Sequence, residues 1–228
     1  MSKELFSTKE SKQANQGLAY YPMFLNISGK RCVVVGGGHI ALRKVRALLE
    51  HGANVEVISP DPCPELNKLV ESGEVKVLRR RYQAGDLQGA LIAIAATDNS
   101  DVNQQVVKEA RGKAVLVNVA DDPESSDFIV PSYVRRGDMT IAVSTAGRSP
   151  ALARKIRTRL EKEFGDEYAS LVRLIGEVRA EVKRQGIKVS GNDWQEALDL
   201  DLMTRLLKKG DEKKVRAVLL NKLMRTSG

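Results

Sequence analysis

This chain is poor in the residues that usually carry disulfide, metal or stacking chemistry. Two cysteines and two histidines occur in 228 residues. Cys32 lies inside an apolar stretch and Cys63 between prolines, which provides neither a disulfide framework nor a zinc-ligand spacing. Such cysteine usage suits a reducing, cytoplasmic compartment. His39 falls in a glycine-rich turn and His51 at a predicted helix end, where a structural role is expected. No Ser-His-Asp, Cys-His or His/Cys metal cluster assembles from neighbouring motifs, so no metal site is expected and serine or zinc hydrolysis is set aside. Aromatic residues make up 4% of the chain, with one tryptophan. That leaves no ladder of rings for stacking bases and no recognition-helix pattern, so nucleic acid is not expected as a partner. No apolar run approaches membrane-spanning length, and the polar first residues carry no apolar signal core. Neither a membrane partner nor export is expected.

What is abundant is positive charge, unevenly placed. Residues 1–150 hold 19 basic and 17 acidic side chains (+2), and residues 151–228 hold 18 and 12 (+6). A basic second half suits a polyanionic small molecule, an acidic surface or an ordinary solvated helical exterior. Charge alone does not choose among them.

The stretch Arg31-Cys-Val-Val-Val-Gly-Gly-Gly-His-Ile-Ala41 is a short apolar run entering a glycine-rich turn. Read as Gly36-x-Gly38-x-x-Ala41, it has the spacing of a dinucleotide-binding turn. Gly36 permits the tight turn, Gly38 lets backbone approach a pyrophosphate, and Ala41 lets the next helix pack closely. A helix over 40–51 aims its free N–H groups and positive dipole end at the phosphates. Glycines also close ordinary strand–helix turns. The context favours a nucleotide site: strand 32–35 precedes the turn, an amphipathic helix follows, and a second apolar strand, 55–58, comes next.

Strands and helices then alternate: helix 64–71, strand 75–78, strand 91–95, helix 99–111 and strand 115–119. Continuous apolar strands separated by helices imply a parallel, Rossmann-like sheet covered on both faces, an α/β fold. The segment 20–25, Tyr-Tyr-Pro-Met-Phe-Leu, is expected to pack against the sheet edge. After Pro123 the pattern changes. Segments at 128–130, 132–135 and 139–144 read as strands about a tight turn, and Ser149-Pro150 starts a helix to Phe164 whose apolar face is Leu152, Ile156, Leu160 and Phe164. Helices over 168–184, 194–208 and from an Asp211 cap complete the chain, the first with Leu171, Val172, Ile175, Val178 and Val182 inward. The expected divisions are a loose segment at 1–18, a dinucleotide domain at 19–130, a strand-and-helix unit at 131–164 and a small helical domain at 165–228.

Ligands of such sheets sit beyond the carboxyl ends of the strands. After the second strand come Pro60 and Asp61, the acid suited to ribose hydroxyls. No arginine follows to take a 2′-phosphate, which favours NAD over NADP. After the fourth comes Ala95-Ala-Thr97-Asp98, where Thr97 is suited to bond the cofactor, although Thr97 or Asp98 is equally suited to cap the next helix. After the fifth comes Asn118-Val-Ala-Asp121-Asp122-Pro123. Asp121 there is suited to accept a proton as hydride leaves a substrate, although composition alone favours reading the segment as an Asp-Pro turn.

These blocks, together with Tyr21-Pro-Met-Phe-Leu-Asn-Ile, Val-Val-Gly-Gly-Gly, Phe128-Ile-Val-Pro-Ser and Ile-Ala-Val-Ser144-Thr-x-Gly147-x-Ser-Pro150-x-Leu-Ala-Arg154, resemble the precorrin-2 dehydrogenase family of siroheme synthesis. The resemblance runs from about Tyr20 onward and is strongest as far as Arg159. It implies oxidation of precorrin-2 to sirohydrochlorin with NAD+ accepting hydride, and places the family's general base on Asp121. It places cofactor contacts on Gly36, Gly37, Gly38, His39, Ile40, Pro60 and Asp61, with Thr97 and Asn118 at neighbouring strand ends. It also implies a homodimer formed through about residues 131–164. A serine of some members falls on Thr145, which keeps a hydroxyl. The polycarboxylate substrate accounts for the basic surplus, and Ser144, Thr145, Arg135, Arg136, Arg148 and Arg154 are its candidate contacts. Members occur alone, with ferrochelatase activity or fused to a methyltransferase, and no methyltransferase is expected here. The alternatives are a bifunctional enzyme that also inserts Fe2+ into sirohydrochlorin, and a non-catalytic NAD-sensing module.

Overall fold

A computed structural model describes residues 20–226; the expected loose segment at 1–18 lies outside the described residues. The chain divides into two compact units, the first ending at Val130 and the second beginning at Pro131.

In the first unit, β1 (Arg31–Val35), β2 (Asn54–Ile58), β3 (Lys76–Leu78), β4 (Ile92–Ala95) and β5 (Leu116–Val119) form one parallel sheet in the order β3-β2-β1-β4-β5. Side chains alternate across a strand, and β1 shows what that achieves. Cys32 and Val34 enter one apolar cluster with Ala41, Leu42, Val45 and Leu48 of α1 (His39–Leu49) and Leu66 of α2 (Pro64–Glu71). Val33 and Val35 enter the other with Val106 and Ala110 of α3 (Ser100–Gly112). Both faces are thus covered, as the unbroken apolar strands predicted. The expected α/β, Rossmann-like class is the one observed.

The apolar segment before β1 behaves differently from its expectation. Tyr21, Phe24 and Met23 are 86%, 77% and 61% exposed, and the chain first enters the core at Ile27. The sheet edge at β5 is covered instead by the chain that follows it. Asp127 accepts from Val117 N–H at 2.9 Å and returns its own N–H to the Val117 carbonyl at 2.8 Å. Ser126 Oγ accepts from Val119 N–H at 2.9 Å and donates to the Asp122 carbonyl at 2.7 Å. These bonds occupy edge groups that a sixth strand would otherwise take.

In the second unit, β6 (Ser132–Arg136) and β7 (Met139–Val143) pair antiparallel around Gly137, whose φ of +58° suits a two-residue hairpin loop. The expected strand at 128–130 does not form; its Phe128 carbonyl is taken by the Asn118 side chain instead. Next come α4 (Pro150–Glu163), capped by Ser149, and a helical cluster of α5 (Glu167–Arg184), α6 (Gly191–Ala197), α7 (Leu200–Lys208) and α8 (Glu212–Thr226). Its core joins Leu171, Leu174, Val178 and Val182 to Met203, Leu206, Leu207, Val215, Leu219 and Leu223. Leu174 therefore takes the buried position given to Val172 by the sequence. The helix expected over 194–208 is two helices, because Leu198 turns out of helical geometry and the Asp199 side chain accepts from Leu202 N–H at 3.1 Å, starting a new one.

The loop between β3 and β4 is held by charge. Arg80 grips Asp86 at 2.8 and 2.6 Å, Gln83 N–H adds a third bond at 2.8 Å, and the Asp86 carbonyl receives Arg31 of β1 at 2.9 Å. The Arg80 hydrogen bond, chiefly, holds the Asp86 carboxyl below its ordinary range. A depressed folded-state pKa gives stability that is complete above the unfolded value of about 4 and is lost as pH falls through the folded one. Asp86→Asn should therefore lower the melting temperature by a few degrees at pH 7. The difference from wild type should shrink below about pH 4, which melts at pH 7 and pH 3 will show.

Candidate functional site

The sequence places chemistry at the carboxyl ends of β1, β2, β4 and β5, and the fold gathers these ends at one edge of the first unit. Gly36 has φ +128°, and a Cβ there would strike the Ala96 carbonyl beyond β4. Its N–H bonds the Ile58 carbonyl at 3.0 Å, so the turn passes between the ends of β2 and β4. Gly37 is enclosed on the other side. A Cβ there would collide with Ser59 Oγ and the Asp61 carbonyl, and its carbonyl accepts from Cys63 N–H at 2.8 Å. Only Gly38 faces open space, with nothing within 4 Å of an added Cβ. The three glycines thus have distinct tasks, two of close packing and one of access.

Access at Gly38 leads to the start of α1. Its N-cap, Gly38, has no side chain to cap the helix, and no acid lies in its first turn. By contrast, α3 is capped by Asn99, which accepts from Asp101 and Val102 N–H at 3.0 and 3.1 Å, and α2 carries Glu65 in its first turn. An uncapped, acid-free N-terminus leaves donors and a positive dipole end for an anion. His39 and Ile40 open the helix and are exposed. Ala41 is fully buried against the sheet.

The neighbouring strand ends are less uniform than expected. Pro60 and Asp61 are exposed beside the turn, and the buried Ser59 hydroxyl fixes Asp61 by accepting its N–H at 3.2 Å. Thr97 donates to Asn103 Oδ1 at 2.7 Å and accepts from Asn99 N–H at 3.2 Å, so its hydroxyl is engaged in forming the α3 entry, where Asn99 is the cap. Asn118 is buried, and its amide is spent internally: Oδ1 accepts from Lys44 Nζ at 3.0 Å and Nδ2 donates to the Phe128 carbonyl at 2.9 Å. Asn118 is a strut between β5, α1 and the chain covering the edge.

Asp121 stands exposed just past β5 with φ +61°, a left-handed geometry that aspartate tolerates better than most residues. The covering chain holds that turn, with Asp122 N–H reaching Val119 O at 3.3 Å and the Ser126 bonds described above. Lys44 is the residue that the motifs did not reveal. Burial chiefly, with Arg43 adding to it, pushes its amine below the usual lysine range, and the charge of Asp121 pulls it back up. The signal was present in the periodicity, because Lys44 interrupts the inward stripe of Ala41, Val45 and Leu48. A second constellation also escaped the sequence. Although no His/Cys cluster was expected, the fold brings His39, Cys63 and Glu65 together.

The remaining candidates belong to the second unit. Ser144 Oγ accepts from Ala146 N–H at 3.0 Å and Thr145 Oγ1 from Ser149 N–H at 3.0 Å, shaping a turn in which Ala146 and Gly147 have positive φ. Arg148 and Arg154 are exposed beside it, on the loop and on α4. Arg135 is exposed on the hairpin, with Nε donating to the Gly137 carbonyl at 3.1 Å. Arg136 is engaged elsewhere. Its guanidinium donates to the Phe164 carbonyl at 2.9 Å and the Glu161 carbonyl at 3.3 Å, closing the carboxyl end of α4.

Comparison with known proteins gives a consistent result. Residues 23–132 match a family of NAD(P)-binding domains, and residues 136–163 match the central region of sirohaem biosynthesis proteins. Siroheme synthase of Chromobacterium violaceum is 39% identical over 202 residues, covering 88% of this chain and 43% of that protein. That of Azotobacter vinelandii is 39% identical over 206 residues, covering 90% and 44%. The chain therefore spans less than half the length of these curated relatives. The solved precorrin-2 dehydrogenase SirC superposes with a TM-score of 0.67 at 27% identity, covering 89% of this chain and 98% of that one. In sequence and in fold, this chain belongs to the siroheme synthase family.

Proposed function

We propose that this chain oxidises precorrin-2 to sirohydrochlorin with NAD+ as acceptor, as a homodimer in the cytoplasm. The observation that carries this reading is the uncapped, acid-free start of α1 at Gly38, opening at the same strand edge as the carboxylate of Asp121. Backbone N–H groups of the α1 start would hold the pyrophosphate, and the exposed Asp61 would face the ribose hydroxyls. NAD+, when bound, supplies the hydride acceptor. Asp121 takes the proton that leaves the macrocycle in the same oxidation. Lys44, fixed by Asn118, gives that carboxylate a nearby positive charge. Arg148 and Arg154, exposed around the Ser144–Thr145 turn, are available for substrate carboxylates, whereas Arg136 is spent on α4.

The homodimer reading is supported by α4. Among its side chains only Ala153 is buried, while Leu152 is 50% and Ile156 37% exposed on its apolar stripe. A stripe of this kind calls for a partner, and a second copy of the same helix would supply one.

Purified protein given precorrin-2 and NAD+ should develop the sirohydrochlorin spectrum, and its absence with intact protein would overturn the reading. Asp121→Asn should fold and bind NAD+ yet lose turnover by roughly two to four orders of magnitude, the cost of a lost general base. Gly38→Asp should do the reverse, leaving the melting curve largely intact and abolishing NAD+ binding in calorimetry. Unchanged affinity would show that the turn is structural only. Ile156→Asp should shift the sedimenting species from dimer to monomer; a wild-type protein that sediments as monomer would remove the dimer.

A further inference from the structure

We propose that His39, Cys63 and Glu65 form a binding site for a divalent transition-metal cation of the zinc, cobalt or ferrous class. A ring nitrogen of His39, the Cys63 sulfur and a Glu65 carboxylate oxygen all lie within 4.8 Å of one another. Tetrahedral coordination at zinc-like bond lengths brings ligand atoms to roughly 3.3–3.8 Å from each other. The cluster therefore closes with side-chain adjustments of about an ångström, which the exposed His39 ring can supply by rotation.

Backbone structure holds the ligands together. His39 begins α1, and Cys63 and Glu65 flank Pro64 at the start of α2. The two starts are fastened by the Cys63 N–H bond to the Gly37 carbonyl at 2.8 Å, and Gly37 has no room to drift from the Ser59–Pro62 segment. A second observation points to a cation here. Glu65 Oε2 is sealed from solvent and has no hydrogen-bond partner of its own among the described residues, while the carboxyl group as a whole is bonded by its own backbone N–H and by the Cys63 thiol. A buried carboxylate oxygen left without a partner is costly, and a bound cation would satisfy it.

The donor set selects the ion. A thiolate and an imidazole favour zinc, cobalt or ferrous ions over magnesium and calcium, which prefer oxygen-only shells. Three protein ligands leave a fourth position open to water or an exogenous ligand. Asp121 takes no part in the site, and metal binding is read spectroscopically without turnover, so failure of the dehydrogenase reading leaves this test standing.

The test uses the 228-residue chain without a tag, stripped with chelator and kept reduced with a phosphine in anaerobic buffer, titrated with Co2+ alone. A thiolate-to-cobalt charge-transfer band in the near ultraviolet, with visible ligand-field bands of tetrahedral intensity, is expected. Zn2+ should displace both at one equivalent, and a large excess of Mg2+ should displace neither. Cys63→Ser should lose the charge-transfer band, although buried Cys32 remains. His39→Ala and Glu65→Gln should each weaken Co2+ binding by roughly tenfold or more. Circular dichroism melts identify any variant that fails to fold, and the unaltered chain then decides alone. No thiolate band in the unaltered protein, or a band that survives in folded Cys63→Ser, would overturn the proposal.

Discussion

The close passage of the backbone at Gly36 is the constraint on which the rest of the first unit's working edge depends. The turn is pinned on one side by the Ile58 carbonyl and leaves no space for a Cβ against Ala96 on the other. Three strand ends are thereby drawn together, and every candidate group of this unit lies on the segment leaving one of those ends or on the β5 end beside them. A side chain at Gly36 would need both a disfavoured φ and the displacement of β4, and would disperse the edge before it affected any ligand. Gly37 transmits the same constraint to the β2–α2 segment, because its carbonyl holds Cys63. Chemistry at Cys63 and chemistry at the α1 start are therefore coupled through one backbone bond.

Electrostatics then divides labour among helices that look alike in sequence. α3 spends its first N–H groups on Asn99, and α2 sets Glu65 against its own positive end. α1 does neither, and is the helix most open to an external anion. Lys44, little more than one turn further along, carries positive charge into the same region, where Asn118 holds it at 3.0 Å. Together these features give the edge two anchored sources of positive potential beside the exposed carboxylate of Asp121, an arrangement suited to holding an anionic cofactor beside a proton acceptor.

The sheet was legible because its strands are largely apolar, broken inside only by Glu56 and Asn118, and the helices between them carry apolar stripes, so pattern alone gave their type and sequence along the chain. The glycine turn was legible for the same reason, since its meaning lay in being preceded by β1 and followed by α1. What escaped depends on contacts between distant residues. Asn118 read as a residue facing a cofactor, yet its partners are Lys44 and Phe128, 74 and 10 residues away. Arg136 read as substrate-binding because it is basic and near a loop, but it closes a helix whose end lies 28 residues on. The His39 cluster has no readable spacing, because two loops of the fold bring its parts together. Tyr21 to Leu25 misled in the opposite sense: apolar composition predicts burial only when something remains to bury against, and the β5 edge, one of the two, was already taken by residues 122–128.

α4 shows why periodicity gives a face but never its partner. Leu152, Ile156, Leu160 and Phe164 recur every four residues, as Leu171, Leu174, Val178 and Val182 recur on α5 at threes and fours. The second set is buried, and the first begins in solvent. Hydrophobic transfer is non-directional, so the same pattern serves a core or an interface equally. The difference has a consequence for the basic loop ahead of α4. Ser149 caps that helix and Thr145 holds Ser149, so the turn carrying Ser144, Thr145 and Arg148 is an extension of α4 and takes its position from it. Whatever covers Leu152 and Ile156 therefore also steadies that turn, and oligomeric state and placement of the basic side chains follow from the same buried surface.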